Sequence, residues 1–559
     1  MRKLILPRSP ACGLILPGAS GALTRRSFLR IAGTSAGAFA LGFPAIVRAA
    51  ARSFAFQHGI ASGDPLPDRA IIWTRVTPEP EATPGSGLGK KAVVTWQVSR
   101  DPMFGTGVAT GEAKTAAEQD HTVKVDVGGL QPSTTYYYRF LFKNAFSAVG
   151  RFRTAPAPGA MVSSLRFGLA SCANFEGGYF SAYRHLAART DLDFILHVGD
   201  YIYEYQTGAY GPGPAIGRTH DPMNEIVTLR DYRRRHAQHK TDADLQALHA
   251  VLPFICTWDD HELADDAWNG GAANHQPATE GDFFQRRSNA LRAYFEWMPI
   301  RPPSASTRLY RQFQFGGLAD LSMLDLRQYR DRQPASTTDP AKDDPARVIV
   351  GREQLDWLKG NLSASRTRWK LVGNPVMITP VDFRQPLAPE VLAKVGALTG
   401  VPFNVDAWDG YTDDRRELLD HLAGNAINNV AFLTGDIHSS WACNVPRGPG
   451  SAPSVAVELV GTSITSDNLN EALQLPPRSP VSLQTEAIFQ AGNPHVKYLE
   501  FDSHGYSVVD VTAARLQMDW YYISERSDPL ATQRFAAAFQ VRVGTNQVEP
   551  AAGPLPRRV

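Results

Sequence analysis

Cysteine is scarce: Cys12, Cys172, Cys256 and Cys443 are the only four in 559 residues, too few and too scattered to form a disulfide framework. A block of like charge is also missing. The 57 Lys and Arg nearly balance the 55 Asp and Glu, so the formal net charge is +2, and nothing favours nucleic acid or an anionic membrane. No internal repeat or low-complexity tract occurs, which leaves an ordinary folded chain. With 43% hydrophobic and 20% charged residues the composition is globular, and the length exceeds one ordinary domain.

Acidic residues are absent from the first fifty positions, which hold seven Lys and Arg. Thr24-Arg25-Arg26-Ser27-Phe28-Leu29-Arg30 precedes an Ala/Gly-rich apolar segment, and small residues follow near Val47-Arg48-Ala49. This pattern reads as a cleaved twin-arginine export signal over residues 1–50, with the translocation machinery as a partner and a periplasmic or secreted destination. The apolar segment is short and diluted by Gly, Ser and Thr, which argues against an anchor, so no stable membrane span is expected in the mature chain. Removing those seven positive charges takes the net charge from +2 to −5.

Residues 51–155 read as all-β. Ala70–Val76, Ala92–Val98 and His121–Val127 are rich in β-branched residues and separated by turn residues. The run Gly129–Phe140, with Tyr136-Tyr137-Tyr138, resembles the tyrosine corner of a fibronectin-like sandwich. Ala155-Pro156-Ala157-Pro158-Gly159 has the composition of a linker. From Leu165 the pattern changes to apolar strands alternating with amphipathic helices, an α/β or α+β core over residues 160–525. Expected strands are Leu165–Ala170, Phe194–Val198, Phe254–Trp258, Leu321–Leu324, Trp369–Val372 and Val430–Leu433. Expected helices are Asp282–Glu296, Arg352–Leu362 and Gly410–Ala423. Residues 526–559 read as a short Ala/Phe helix and a Pro-rich tail.

Four of the apolar runs end in polar clusters: Ser171-Cys172-Ala173-Asn174, Gly199-Asp200-Tyr201-Ile202-Tyr203, Asp259-Asp260-His261-Glu262 and Gly435-Asp436-Ile437-His438. Ligands in α/β folds gather at the carboxyl ends of strands. Buried ionisable groups are costly unless paired or metal-bound, so four such clusters point to a metal site. Cys172, Tyr203 and His438 are soft or strongly donating ligands suited to a trivalent transition metal such as iron. Asp260 and Asp436 are hard oxygen ligands suited to calcium or magnesium, and Asp200 can bridge the two. Cys256, inside an apolar strand, reads as core.

The set resembles metallophosphoesterases. Gly199-Asp200-x-x-Tyr203 looks like the GDXXY motif of purple acid phosphatases, but Cys172 stands where that group has its first aspartate. Carboxylates likewise replace its Asn and His at Asp260 and Asp436. The altered set, with Ala264–Trp268, Gly271–His275, Asp325–Arg330, Asp406–Tyr411 and Asn493-Pro494-His495, is similar to the PhoD-like alkaline phosphatase/phosphodiesterase family. That resemblance implies a fibronectin-like β-sandwich followed by a metallophosphoesterase-like layered α/β catalytic domain. It also implies one Fe3+ held by Cys172, Asp200, Tyr203 and His438, with Ca2+ held by Asp200, Asp260 and Asp436. Asn374 is a further candidate for calcium, although it stands where glutamine is expected.

The activity this implies is hydrolysis of phosphate mono- and diesters, on small molecules, polymers or lipids, by a metal-activated hydroxide. His261 is the candidate to protonate the leaving oxygen. Three other readings compete. Phospholipase D-like cleavage would use the same site, a serine route would use Ser439 or Ser440, and a secreted binding protein would use metal only for stability. His495, after Pro494, reads as a turn residue.

Overall fold

The alternation that begins at Leu165 builds two stacked sheets. In the computed structural model, which describes residues 54–303, 306–383, 401–402, 404–448 and 453–558, the first sheet has ten strands and the second seven. The centre of the first is parallel: Ser164–Ala170 pairs with Phe194–Val198, which pairs with Phe254–Thr257. The centre of the second is parallel as well, with Ala319–Met323, Trp369–Asn374, Val430–Thr434 and Ser454–Val460 side by side. The middle strands are buried along their whole length, as short continuous apolar runs require when both faces are covered.

Between the sheets lies one core, in which Phe167, Leu196 and Ile255 from the first pack with Leu321, Leu371 and Leu433 from the second. Each outer face is covered by helices. Tyr183, Tyr232, Leu248 and Leu291 close the first, and Leu355, Leu358, Leu418 and Phe489 close the second. The result is a helix–sheet–sheet–helix sandwich. Local signals start the helices where they are needed: Asp282 accepts from Phe284 N at the head of Phe283–Trp297, and Thr228 and Asp231 form a reciprocal capping box for Leu229–Thr241. Among the described residues, no helix is long and apolar enough to cross a membrane. The leader read at residues 1–50 lies outside the described residues.

Three strands before residue 155 also join the catalytic sheet: Ile60–Gly63, Ala70–Arg75 and Thr122–Val127 extend the ten-stranded sheet, joined where Gly63 pairs with Phe254. A five-stranded sheet covers these strands, and Ile72, Val94, Tyr138 and Phe152 fill the space between. The tyrosine corner closes with the Tyr136 hydroxyl accepting from Gln131 N at 2.9 Å. The expected C-terminal helix is instead a strand, Gln533–Arg542, followed by Val548–Pro550. Its pairing with Arg515–Ile523 places Phe535 on Tyr521 and Phe539 on Tyr498, so tertiary packing overrides the helix preference of the Ala run.

Candidate metal centre

Parallel strands share a direction, so their carboxyl ends meet at one rim of the sandwich. Cys172 follows Ser164–Ala170, Asp200 and Tyr203 follow Phe194–Val198, Asp260 and His261 follow Phe254–Thr257, and Asp436 and His438 follow Val430–Thr434. Immediately beyond the strands the backbone turns left-handed at Cys172, Asp200, Asp436 and His438, with φ of 59°, 57°, 63° and 52°. Each such residue costs about 1–2 kcal/mol relative to an ordinary conformation, and strain of this kind concentrates at functional sites. The glycines allow the loops to touch. A Cβ on Gly199, at φ +112°, would sit 2.5 Å from Asp259 Cβ, and one on Gly435 would sit 2.5 Å from Ser171 Oγ.

The side chains converge in two groups. Cys172, Asp200 and His438 offer ligand atoms within 4.8 Å of one another, and so do Asp200, Asp259, Asp260 and Asp436. Asp200 belongs to both. Tyr203 joins the first group, its hydroxyl 2.8 Å from Asp200 Oδ2 and 3.4 Å from His438 Nε2. His438 is oriented from behind, its Nδ1 lying 2.9 Å from the Asp467 carbonyl, which turns Nε2 to the cluster. Ser466 Oγ lies 2.6 Å from the Tyr203 hydroxyl. Asp259 is already claimed by Arg327, whose guanidinium bonds it at 2.6 and 3.0 Å and Asp406 at 3.0 and 2.9 Å.

Glu262, which the sequence reading gave no task, clamps the ligand loops together. Its carboxylate accepts from the backbone N–H of Asp200 at 3.0 Å, of Asp259 at 2.8 Å and of Tyr201. Glu204 holds His261: its Oε2 lies 2.7 Å from His261 Nδ1, and its Oε1 accepts from Asp265 N and Asn274 Nδ2, both at 2.8 Å. Burial opposes ionisation of Glu204, but the imidazole and the donated hydrogen bonds outweigh it and hold its carboxyl below the ordinary value. The His261 ring stacks on Tyr203 at 4.1 Å, and its Nε2 lies 3.9 Å from both Asp260 and Asp265.

Asn374 ends the strand Trp369–Asn374. The one atom able to ligate a metal, Oδ1, accepts from Trp408 Nε1 at 3.2 Å, while Nδ2 donates to Val376 O at 2.5 Å and Thr434 Oγ1 at 3.3 Å. The side chain acts as a strut between strand ends. His495 is a turn residue, with Nε2 2.6 Å from Pro380 O. Ser439 bonds Ile437 O and Trp441 Nε1, Ser440 is buried, and Cys256 lies in the core.

The donor set fits a cation. Burial first, then Asp200, pushes the Cys172 thiol well above its ordinary pKa; burial, Asp200 and Cys172 do the same to the Tyr203 phenol. A thiol, a phenol and four carboxylates share this space, and the guanidinium nearest them, Arg327, is bonded to Asp259 and Asp406 and lies 3.7 Å from Asp260. Such a set ionises together only around a multivalent cation. A thiolate–phenolate–imidazole group suits a trivalent transition metal, and an all-carboxylate group suits a hard divalent ion.

Comparison with known proteins places the chain among phosphatases. A family model described as PhoD-like phosphatase matches residues 167–520, and one described as PhoD-like phosphatase, N-terminal domain, matches residues 43–156. The chain is 37% identical over 498 residues to alkaline phosphatase D of Bacillus subtilis (strain 168), covering 87% of this chain and 81% of that protein. A solved structure of PhoD superposes with a TM-score of 0.78 at 34% identity, over 90% of this chain and 93% of the other. Purple acid phosphatase PPD1 from yellow lupin (Lupinus luteus) seeds shares the fold, with a TM-score of 0.50 at 11% identity over 86% and 74% of the two chains.

Proposed function

The chain belongs to the PhoD-like phosphatase family and is a phosphoric ester hydrolase, and from that premise we propose that it acts after export, on phosphate mono- and diesters, at an iron–calcium centre. Membership of an enzyme family sets aside the reading as a non-catalytic binding protein. One observation carries the two-metal assignment: Asp200 belongs at once to a group with thiol and imidazole donors and to a group of carboxylates. Cys172, Asp200, Tyr203 and His438 would hold iron, and Asp200, Asp260 and Asp436 would hold calcium. A metal pair held there would supply activation of a water nucleophile and neutralisation of phosphoryl oxygens.

The chain's own residues supply the rest. Glu204 fixes the His261 ring through Nδ1, which leaves Nε2 as the atom that would pass a proton to a departing alkoxide. The stack on Tyr203 holds that ring against the ligand cluster. Glu262 fixes the backbone from which Asp200 projects, and Arg327 keeps the Asp259 carboxylate beside Asp260 without adding another uncompensated negative charge. Among the described residues no base is hydrogen-bonded to Ser439 or Ser440, which supports direct hydrolysis over a serine route. The export part of the proposal rests on Arg25-Arg26 and the acid-free leader.

Holoenzyme assayed with a chromogenic monoester and a chromogenic diester, before and after a calcium chelator, tests this reading. Both substrates should turn over, with loss on chelation and recovery when calcium is returned. Activity indifferent to chelation would remove calcium from the centre, and an inert diester would restrict the enzyme to monoesters.

A further inference from the structure

The opposite end of the sandwich holds a second concentration of charge, of the other sign. A cleft of about 290 Å³ opens where the N-terminal sheet meets the amino ends of the central strands, lined by Arg151 and Arg153 on one wall, Asp191 and Asp193 on the other, and Arg558 from the tail. It lies at the start of Phe194–Val198 and Phe254–Thr257, whereas the metal-centre residues follow their ends. Strands of this length put it roughly 16 Å away along the sheet.

The ion pairs leave positive charge over. Asp191 is saturated by Arg189 at 3.0 and 2.9 Å and by Arg166 at 2.7 Å. Asp193 accepts from Arg153 and Arg558, each at 3.3 Å, and from Arg166 N at 2.9 Å. Asp510 accepts from Arg166 and Arg558, both at 2.9 Å, with Arg515 at 3.7 Å. Five arginines therefore share three aspartates. Arg151 makes no ion pair among the described residues. Its Nε donates to Val251 O at 3.3 Å, and burial, opposed by Tyr137, pulls its guanidinium below the ordinary pKa. An adjoining hollow of about 300 Å³ shares Arg153, Asp193 and Arg558, so the cleft has room for more than the anion itself.

We propose that this seam is a second phosphate site, distinct from the metal centre, which takes inorganic phosphate or the phosphoryl group of a small molecule between Arg151, Arg153 and Arg558. A tetrahedral dianion accepts from several guanidinium forks at once and neutralises the excess charge. Because the walls come from both domains, the bound anion also ties the N-terminal sheet to the catalytic strands. The reaction itself releases a ligand of this kind.

Equilibrium dialysis of holoenzyme with radiolabelled phosphate tests the site. Wild type should bind two equivalents and R151Q/R153Q one, with kcat and competitive inhibition by phosphate unchanged in the variant. Should the double variant fail to fold, R151Q alone loses only the bond to Val251 O and should weaken the second equivalent at least tenfold. A single equivalent in wild type, two retained in the variant, or displacement of the second by chloride at matched ionic strength would each overturn the proposal. Displacement only by phosphomonoesters would identify an organic phosphate as the better ligand of the same site.

Discussion

Two buried clusters of ionisable side chains meet at Tyr201, and they handle burial in opposite ways. On one side His197, His236, His239, His249 and Lys240 pack beneath the helices, with the Tyr201 hydroxyl and Lys240 Nζ each 2.9 Å from His249 Nε2. Burial pulls His197 and His239 to about 3 and Lys240 to about 7, so this cluster reaches neutrality by releasing protons. On the other side, next to Asp200, burial pushes Cys172 and Tyr203 upward among four carboxylates. Bases can lie buried as neutral groups with no partner ion. A cluster of potential anions converging on one space is informative because its ionised form calls for a cation.

The strongest way to break this contrast is to remove the residue common to both ligand groups. Asp200→Ala should lower kcat/KM by well over the ~10–100-fold that loss of a ligand-orienting residue costs, and should reduce bound iron and calcium together. Loss of only one metal, measured by elemental analysis, would show that Asp200 does not bridge.

A smaller effect is expected one step out. His261→Gln should lower kcat by about 10²–10⁴-fold with metal content preserved, as for loss of a general acid. Glu204→Gln, which weakens the hold on Nδ1, should cost about 10–100-fold. Both substitutions should spare a substrate whose leaving group is acidic enough to depart unprotonated. An equal loss on that substrate would make His261 a packing residue.

On the basic side the effect is on stability. Burial lowers Lys240 to about 7 from an ordinary value of 10.5. Between those values the unfolded chain binds the additional proton, so stability should rise as pH climbs from about 7 to about 10, and the burial cost is fully present below that range. Lys240→Met should flatten this rise in a series of thermal melts. Lys124, also lowered to about 7, would leave a residual slope. The smallest effect belongs to Ser439→Ala with Ser440→Ala, which should keep kcat within a few-fold; a collapse like that of Asp200→Ala would support the serine route.

The rim of converging polar side chains was legible because each candidate ligand follows a short apolar strand, a local pattern that survives without knowledge of the fold. Asn374 also sits at a strand end, but whether its oxygen faces a metal or Trp408 depends on a turn 34 residues away. The task of Glu204 and the longer reach of Glu262, to Asp200 and Tyr201, are bonds to other loops and leave no trace in their own neighbours. The helix Leu229–Thr241 was unreadable for a different reason: Arg235, His236, His239 and Lys240 are buried in it, so the apolar stripe that would mark it is missing. The strand Gln533–Arg542 has local preferences that favour helix, and its partner strand decides otherwise.

The central claim is that a thiolate–phenolate iron and a carboxylate calcium share Asp200. Elemental analysis of purified holoenzyme, combined with its visible absorption spectrum, tests this most directly. One iron with at least one calcium per chain, and a visible charge-transfer band that disappears in Tyr203→Phe and Cys172→Ala, is the expected result. A colourless, fully active enzyme holding only zinc would contradict it.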